Sequence, residues 1–186
     1  MAGVASPART IGVAIAIPEP HGSRLQEVRE SYGDSLANAI PTHVTLLPPT
    51  QVHEADLPEI DEHLRKVALA GERFELHLRG TGTFRPVSPV VFVALASGIG
   101  DCERLEAQVR SGTLARELSF YYHPHVTVAH DLPTEVLDRA YAELASYDAR
   151  FSVRGFSLYE HGADGVWRPQ RDYPFGKPLP GPDTAR

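Results

Sequence analysis

The sequence predicts a single domain of mixed strands and helices, built from two halves that each follow the order strand, helix, strand, helix, strand. Three observations support this. Short runs rich in β-branched residues alternate with segments of helical periodicity along the 186-residue chain. These runs recur at similar offsets in the two halves. Each half also carries a similar His-x-Thr segment in its second predicted strand.

The composition is that of an ordinary globular protein, with 42% hydrophobic and 23% charged residues. The single cysteine, Cys102, argues against a disulfide-based scaffold. The apolar runs are far shorter than the roughly 18 residues of a membrane span, and the start of the chain lacks a signal-peptide pattern, so we expect a cytoplasmic protein. The formal net charge of −6 opposes binding to long nucleic acids, whereas a small phosphate ester or a nucleic-acid end remains compatible with it.

The first half contains five predicted elements, assigned from hydrophobic periodicity. Pro48 and Pro49 should end its second strand. Asp56 and Glu59 have the spacing of a capping box at the start of its second helix. In chain order the elements are a strand over 11–17, a helix over 23–32, a strand over 41–47, a helix from 56 to 71 and a strand from 74 to 78.

The second half repeats this order. Gly98, Ile99 and Gly100 follow its first strand like a dinucleotide-binding loop, but Glu103 stands where the last glycine of that motif belongs, so we expect a plain turn. Gly80 and its neighbours, between the halves, predict a turn or bulge. The elements are a strand over 90–96, a helix over 101–118, a strand over 125–129, a helix over 134–145 and a strand over 151–159.

Spacing supports an internal duplication. The interval from the start of the first strand, at 11, to His43 nearly equals the interval from 90 to His125. The intervals from each histidine to the next predicted strand, at 74 and at 151, agree within normal loop variation. We therefore expect one bilobal domain over 11–174, with lobes of about 11–85 and 86–174 between which strands could exchange. The segments 1–10 and 175–186 should be a flexible N-terminal tail and a proline-rich C-terminal tail.

The two His-x-Thr segments are the candidates for chemistry. Alternate side chains of a strand point to the same face, so His43 shares a face with Thr45, and His125 with Thr127. If the halves are related by a pseudo-two-fold axis, these strands meet and present two imidazoles and two hydroxyls to one cleft.

Such a set suits the cleavage of a phosphodiester without a metal. One imidazole can take a proton from the nucleophile and the other can give a proton to the leaving oxygen, because an imidazole pKa near 6.5 permits either role. The hydroxyls can donate hydrogen bonds to the non-bridging phosphate oxygens. The sequence leaves open which histidine is the acid and which is the base.

The segments 43–47 (HVTLL) and 124–129 (PHVTVA) resemble the two motifs of the 2H phosphoesterase superfamily, in its 2′-5′ RNA ligase (LigT-like) and cyclic phosphodiesterase branch. The resemblance implies a bilobal α+β fold in which two antiparallel sheets flank a cleft. It implies hydrolysis of 2′,3′-cyclic phosphates to 2′-phosphates and, in some members, reversible 2′-5′ joining of RNA ends without ATP. By motif match, His43 and His125 would be the catalytic pair, and Thr45 and Thr127 the phosphate ligands.

Many members of this family carry an arginine shortly after the second motif, where this chain has His130. A further cation for the phosphate would then come from His130 itself or from elsewhere, such as Arg85 or Arg168. Aromatic side chains near the motifs are candidates for stacking on a nucleobase. The candidate substrate contacts are Phe84, Arg85, Tyr122, His123, His130 and Arg168, with Tyr121 and Trp167 as further stacking candidates.

Two other functions stay open at this point. The cleft could hold RNA ends or a nucleotide without turning them over. Alternatively, His123, His125 and His130 could bind a metal, although strict alternation places His130 on the other face of the strand or beyond its end. Neither Lys66 nor Lys177 lies in a nucleotidyl-transfer motif or a P-loop, which argues against ATP-driven chemistry. We expect no metal, no cofactor, no membrane partner and a monomer.

Overall fold

The computed structural model of the chain describes residues 7–176. Strands and helices alternate as predicted in the first half, and three strands follow one another after the last helix. In order the elements are β1 (Ala8–Ala16), α1 (His21–Ser31), β2 (His43–His53), α2 (Leu57–Ala70), β3 (Phe74–Thr83), β4 (Val90–Ser97), α3 (Ile99–Val109), β5 (His125–His130), α4 (Thr134–Glu143), β6 (Asp148–Val153), β7 (Gly155–His161) and β8 (Trp167–Pro174).

The strands form two antiparallel sheets of four strands each, which confirms the predicted α+β architecture. The first sheet has the order β2-β1-β7-β8 and the second the order β5-β4-β3-β6. Buried side chains of both sheets and of all four helices join in one hydrophobic core. No helix within residues 7–176 is long and apolar enough to cross a membrane.

The third strand of each half is exchanged between the sheets. β3 pairs with β4 in the second sheet, and β7 pairs with β1 in the first. The counterpart of β3 is therefore β7, not the strand predicted at 151. The interval from His125 to the start of β7 nearly equals the interval from His43 to the start of β3. A lobe boundary at residue 85 is thus a boundary in sequence only, because each sheet contains strands from both halves.

The second strand runs further than predicted. β2 continues through Pro48 and Pro49 to His53. The strand lies at the edge of its sheet, so a proline that lacks an N–H can be accommodated on the side that has no neighbour. The prolines were therefore the wrong place to end the strand.

Two helix predictions also need correction. α3 ends at Val109, after which Gly112, with a φ of 56°, begins a short 3-10 turn, so the predicted continuation to residue 118 was wrong. At the start of α2, the Asp56 side chain makes no capping hydrogen bond, and a 3-10 turn over Glu54–Asp56 leads into the helix instead. The predicted buried face of α2 is confirmed, and its members are Ile60, Leu64, Val67 and Ala68.

The last predicted strand is two strands. Arg154 separates β6 from β7, and the two strands belong to different sheets. β8 was missed, because Trp167–Pro174 contains a run of glutamine, arginine and aspartate and buries few residues as an edge strand. Alternation alone does not distinguish one long strand from two short ones.

Part of each segment predicted as a tail belongs to the folded domain. Ala8–Thr10 belong to β1, and Phe175 is buried against the core, with its ring 6.3 Å from that of Phe74. The remaining residues of the predicted tails, 1–6 and 177–186, lie outside the described part of the chain. Gly98 adopts a φ of 86° before α3, which confirms a plain strand-to-helix turn there.

Candidate active site

The two His-x-Thr segments begin the two strands that meet between the sheets. β2 and β5 each lie at an edge of their sheet, and they contact each other. His43, Thr45, His125 and Thr127 are all half-buried, whereas the valines between them are fully buried. The alternation predicted from sequence is therefore confirmed in both motifs. His43, Thr45 and His125 line the pockets at the motifs, whereas Thr127 is not among the lining residues.

Each motif is followed by a β-bulge at the same position. The pairing register skips Leu46 in β2 and Val128 in β5. The first six residues of β2 and the six residues of β5 consequently show the same order of half-buried and buried positions. A bulge reverses the alternation, so His130 returns to the face of His125. The expectation that His130 lies on the other face was wrong, because strict alternation takes no account of the extra residue.

The two imidazoles are held in the same way. Nδ1 of His43 lies 2.7 Å from the carbonyl oxygen of Pro41, and Nδ1 of His125 lies 2.7 Å from that of His123. A carbonyl oxygen can only accept a hydrogen bond, so Nδ1 carries the proton in each neutral ring. Within residues 7–176 neither Nε2 atom has a hydrogen-bond partner, and each is left to act on a ligand.

Both imidazoles are kept neutral by their surroundings. The pKa of His43 is lowered to about 4, chiefly by burial and to a smaller extent by Arg29 and His125, against the opposing effect of the Pro41 carbonyl. Burial also lowers the pKa of His125; the hydrogen bond to the His123 carbonyl opposes this effect, and the His123 side chain adds to it. At neutral pH each Nε2 therefore offers a lone pair rather than a proton.

An apolar pocket of about 610 Å³ lies beside His125. The ring of Phe84 packs edge-on against His125, with centroids 4.8 Å apart, and Phe92 lies on the same imidazole at 5.2 Å. Of the predicted substrate contacts, this pocket contains Phe84, Tyr122 and His123. Its full lining is Thr45, Leu46, Pro48, Phe84, Val87, Ser88, Glu106, Leu118, Phe120, Tyr121, Tyr122, His123 and His125.

A smaller pocket of about 170 Å³ lies beside His43. Trp167 covers its floor at Gly12, where an added Cβ would lie 3.2 Å from the indole ring. The lining residues are Gly12, Val13, Ala14, Ile40, His43, Thr45, Leu47, Pro49, Tyr159 and Trp167. Thr45 lines both pockets, so the two cavities adjoin at the first motif, and each histidine has an aromatic wall of its own.

Two of the predicted cationic contacts are engaged elsewhere. Arg85 forms an ion pair of 2.8 Å with Asp138 of α4, and Arg168 pairs with Asp164 at 2.6 Å. Neither arginine lines the pockets beside the histidines. Among the described residues no three histidine, cysteine, aspartate or glutamate side chains form a group that could hold a metal, so His123, His125 and His130 are not assembled as a ligand set.

A buried arginine near the site was missed. Arg29 of α1 is only 7% exposed, and its Nε donates to Asp34 Oδ2 at 2.8 Å. The same carboxylate oxygen accepts the backbone N–H of His130 at 3.1 Å, which connects α1 to the end of β5. The signal in the sequence was the position of Arg29 four residues after Leu25, on the buried face of the predicted helix.

The chain is similar to known proteins over most of its length. Residues 17–165 match the family model described as "2'-5' RNA ligase superfamily". A protein of Geobacillus sp. (strain WCH70), described as a "putative phosphoesterase", is 30% identical over 149 residues, which is 77% of this chain and 86% of that protein. A similarly described protein of Halalkalibacterium halodurans is 30% identical over 171 residues, covering 89% of this chain and 97% of that one.

Solved structures share the fold. A crystal structure of E. coli LigT complexed with NADP+ has a TM-score of 0.67 and 18% identity, with 92% of this chain and 100% of that chain covered. The TT0787 protein of Thermus thermophilus has a TM-score of 0.60 and 19% identity, covering 90% of this chain and 98% of that one. With two mirrored His-x-Thr strands, two four-stranded sheets and these matches, the chain belongs to the 2′-5′ RNA ligase superfamily and has the fold of the 2H phosphoesterases.

Proposed function

We propose that this protein is a metal-independent phosphodiesterase that opens a 2′,3′-cyclic phosphate, at an RNA terminus or on a small nucleotide, to leave a 2′-phosphate. One observation supports this above others. Two imidazoles face one cleft, each has Nδ1 bonded to the carbonyl two residues earlier, and each leaves Nε2 free. In-line displacement at phosphorus requires a proton acceptor on one side of the phosphorus atom and a proton donor on the other, and two free Nε2 atoms can supply both.

The reaction uses one proton acceptor and one proton donor. One Nε2 takes a proton from water as the water oxygen bonds to phosphorus. The other, protonated, Nε2 gives its proton to the ribose 3′ oxygen as the bond between phosphorus and that oxygen breaks. The products are a 2′-phosphate and a 3′-hydroxyl, and the two imidazoles end with their protonation states exchanged. The hydroxyls of Thr45 and Thr127 donate to the non-bridging oxygens as negative charge develops there.

We assign the role of base to His43 and that of acid to His125. The positive charge of Arg29 contributes to the lowered pKa of His43 and favours its neutral ring, whereas burial is the main cause of the lowered pKa of His125. Bound phosphate carries a negative charge, which raises the pKa of a nearby imidazole and allows His125 to hold the proton that it must donate.

The same pair of histidines can join RNA ends. If the 5′-hydroxyl of a second RNA takes the place of water, the product is a 2′-5′ linkage, and the cyclic phosphate supplies the energy instead of ATP. The two pockets that adjoin at Thr45 leave room for a group on either side of the phosphate. Incubating an RNA that ends in a 2′,3′-cyclic phosphate with a 5′-hydroxyl RNA, without ATP, tests this: we expect some joined product, and its absence at high RNA concentration would limit the activity to hydrolysis.

The hydrolysis is tested with adenosine 2′,3′-cyclic phosphate in the presence of EDTA, with the product identified by phosphorus NMR. We expect multiple turnovers to the 2′-phosphate by the wild type and losses of at least about 100-fold in His43→Ala and in His125→Ala. His53→Ala is the matched control, because His53 is exposed at the far end of the same strand as His43.

Three outcomes would contradict the proposal. Activity retained in both cleft variants would exclude the two-histidine reaction. Loss of activity in EDTA, restored by a divalent ion, would show that a metal is required. Saturable binding of the nucleotide, without product over many hours, would favour the alternative of a binding module.

A further inference from the structure

The motif side chains of the cleft carry no permanent positive charge. They are two threonine hydroxyls and two imidazoles whose pKa values are lowered, so all four are uncharged at neutral pH. The substrate of the proposed reaction is an anion that must leave water to bind here. Removing a charge from water is costly unless a charge of opposite sign receives it.

Arg29 is well placed to meet this requirement. Its side chain is 8% exposed and that of Asp34 is 1% exposed, so the pair lies inside the protein. The carbonyl oxygen of Gly22, at the start of α1, accepts a hydrogen bond of 3.0 Å from Oγ1 of Thr42, the residue before the first motif. α1 also packs against β5, the strand of the second motif. The helix that carries Arg29 therefore contacts both the start of the first motif strand and the strand of the second motif.

The guanidinium still has hydrogen-bond donors to offer. Its Nε donates a hydrogen bond to Asp34, whereas its two Nη atoms have no hydrogen-bond partner among the described residues. Within residues 7–176, the side-chain nitrogen and oxygen atoms that are enclosed without a partner belong to Arg65 and Tyr147. The Nη atoms of Arg29 are therefore not fully enclosed, although the residue as a whole is buried. A planar guanidinium held at one edge presents its other edge to a ligand.

Asp34 fixes the guanidinium relative to the second motif. Its Oδ2 accepts from Arg29 and from the backbone N–H of His130, and its Oδ1 accepts from the N–H of Leu36 at 2.9 Å. The loop after α1, the helix itself and the end of β5 are therefore joined at one carboxylate. The position of Arg29 depends on the strand that carries His125.

We propose that Arg29 binds the phosphate of the substrate through its Nη atoms, and that Asp34 is the residue that positions it. The proposal rests on the phosphodiesterase function given above and adds to it the charged ligand of the phosphate. The expected ligand is a phosphate monoester or diester with oxygens accessible to a planar donor. The titratable groups that act electrostatically on His43 are Arg29 from α1 and His125 from β5, and Tyr159 of β7 lines the same pocket as His43.

The test uses inorganic phosphate as the probe and the pKa of His43, followed by NMR, as a second measurement that does not need catalysis. Removing one partner of a buried ion pair can prevent folding, so the main variant is the double Arg29→Met/Asp34→Asn, which leaves no unpaired charge. Arg29→Lys keeps the charge without the planar fork. Arg24→Met, an exposed arginine of the same helix, is the control.

We expect the double variant to bind phosphate at least about 10-fold more weakly than the wild type, and the pKa of His43 to rise because a neighbouring positive charge is gone. Arg29→Lys should retain the low pKa of His43 and lose part of the phosphate affinity. Arg24→Met should behave as the wild type. A changed pKa of His43 in the double variant, together with an unchanged pKa in Arg29→Lys, would show that the charge at position 29 is responsible. A change in packing alone would not give this pair of results.

Equal phosphate affinity and an equal His43 pKa in the wild type and the double variant would overturn the proposal, as would a wild type that binds no phosphate. The outcome is separable from that of the proposed function. Arg29-dependent phosphate binding by a protein that does not hydrolyse the cyclic phosphate would uphold this site and reject the reaction. Full turnover by the double variant would uphold the reaction and reject this phosphate site.

Discussion

The phenol of Tyr122 donates a hydrogen bond to the main-chain carbonyl of Thr45, with 2.8 Å between the oxygens. This bond joins the loop that precedes the second motif to the strand of the first, across the two sheets. Burial raises the pKa of the Tyr122 phenol, so the group stays a neutral donor. The relative position of the two motifs thus depends on a direct contact as well as on the core.

Tyr122→Phe should weaken this connection with little change in packing. We expect a loss of about 1 kcal/mol in the free energy of unfolding, because one partly buried hydrogen bond is removed and the Thr45 carbonyl loses its donor. Urea unfolding measures this. Tyr121→Phe is the control, since Tyr121 is fully exposed, and an equal loss in both variants would show that the bond to Thr45 contributes nothing specific.

Thr45→Val and Thr127→Val test the phosphate ligands. The two side chains occupy equivalent half-buried positions, so each substitution removes a hydroxyl and leaves the shape of the strand. We expect each to lower kcat by about 10- to 100-fold, as for the loss of one donor to a developing charge. Thr113→Val, in an exposed turn, should leave kcat unchanged. Equal activity of the wild type and both cleft variants would remove the hydroxyls from the mechanism.

The pH dependence of kcat/KM follows from the direction of the histidine pKa shifts. The base must be neutral, and His43 becomes protonated only as the pH falls towards about 4. The acid must be protonated, and the pKa of His125 lies below the ordinary value of about 6.5. The bell-shaped profile should therefore have its maximum on the acidic side of pH 6.5. A maximum well above pH 7 in the free-enzyme profile would show that these two histidines, with their lowered pKa values, are not the acid and the base.

A substrate with a sulfur leaving group separates the acid from the base. In a 3′-thio analogue of the cyclic phosphate the thiolate leaves without protonation, so the acid is no longer required. If His125 is the acid, His125→Ala should recover most of the wild-type rate on this analogue, whereas His43→Ala should stay inactive. Comparison of the initial rates with those on the oxygen substrate gives the result. Recovery by His43→Ala instead would show that His43 is the acid and His125 is the base.

Much of the candidate site could be predicted from the sequence because its signals are local. A histidine and a threonine two positions apart on a strand share a face whatever the rest of the fold does, and the prediction for both motifs is confirmed. Phe84 and Tyr122, which the sequence indicates as candidate substrate contacts, both lie in the pocket beside His125. The buried face of α2 followed from the helical period in the same way.

Other features could not be predicted, because they depend on pairing between distant segments. His130 lies on the same face of β5 as His125 only because the register of β5 against β4 skips Val128, and the hydrophobic alternation of the sequence does not reveal a bulge. The sequence does not distinguish Arg85 and Arg168 from other arginines as candidate phosphate ligands. In the structure, Asp138 and Asp164 are their ion-pair partners.

The amino-acid sequence by itself determined the duplicated order of elements, the two motifs and the faces on which their side chains lie, since each of these follows from the spacing of residues along one strand or helix. Only the tertiary structure decided which sheet contains each third strand and which arginine is buried in an ion pair at the end of the second motif strand. Strand pairing depends on which apolar surfaces are buried against each other, and the burial of an arginine depends on a carboxylate partner. Both involve residues that are far apart in the chain.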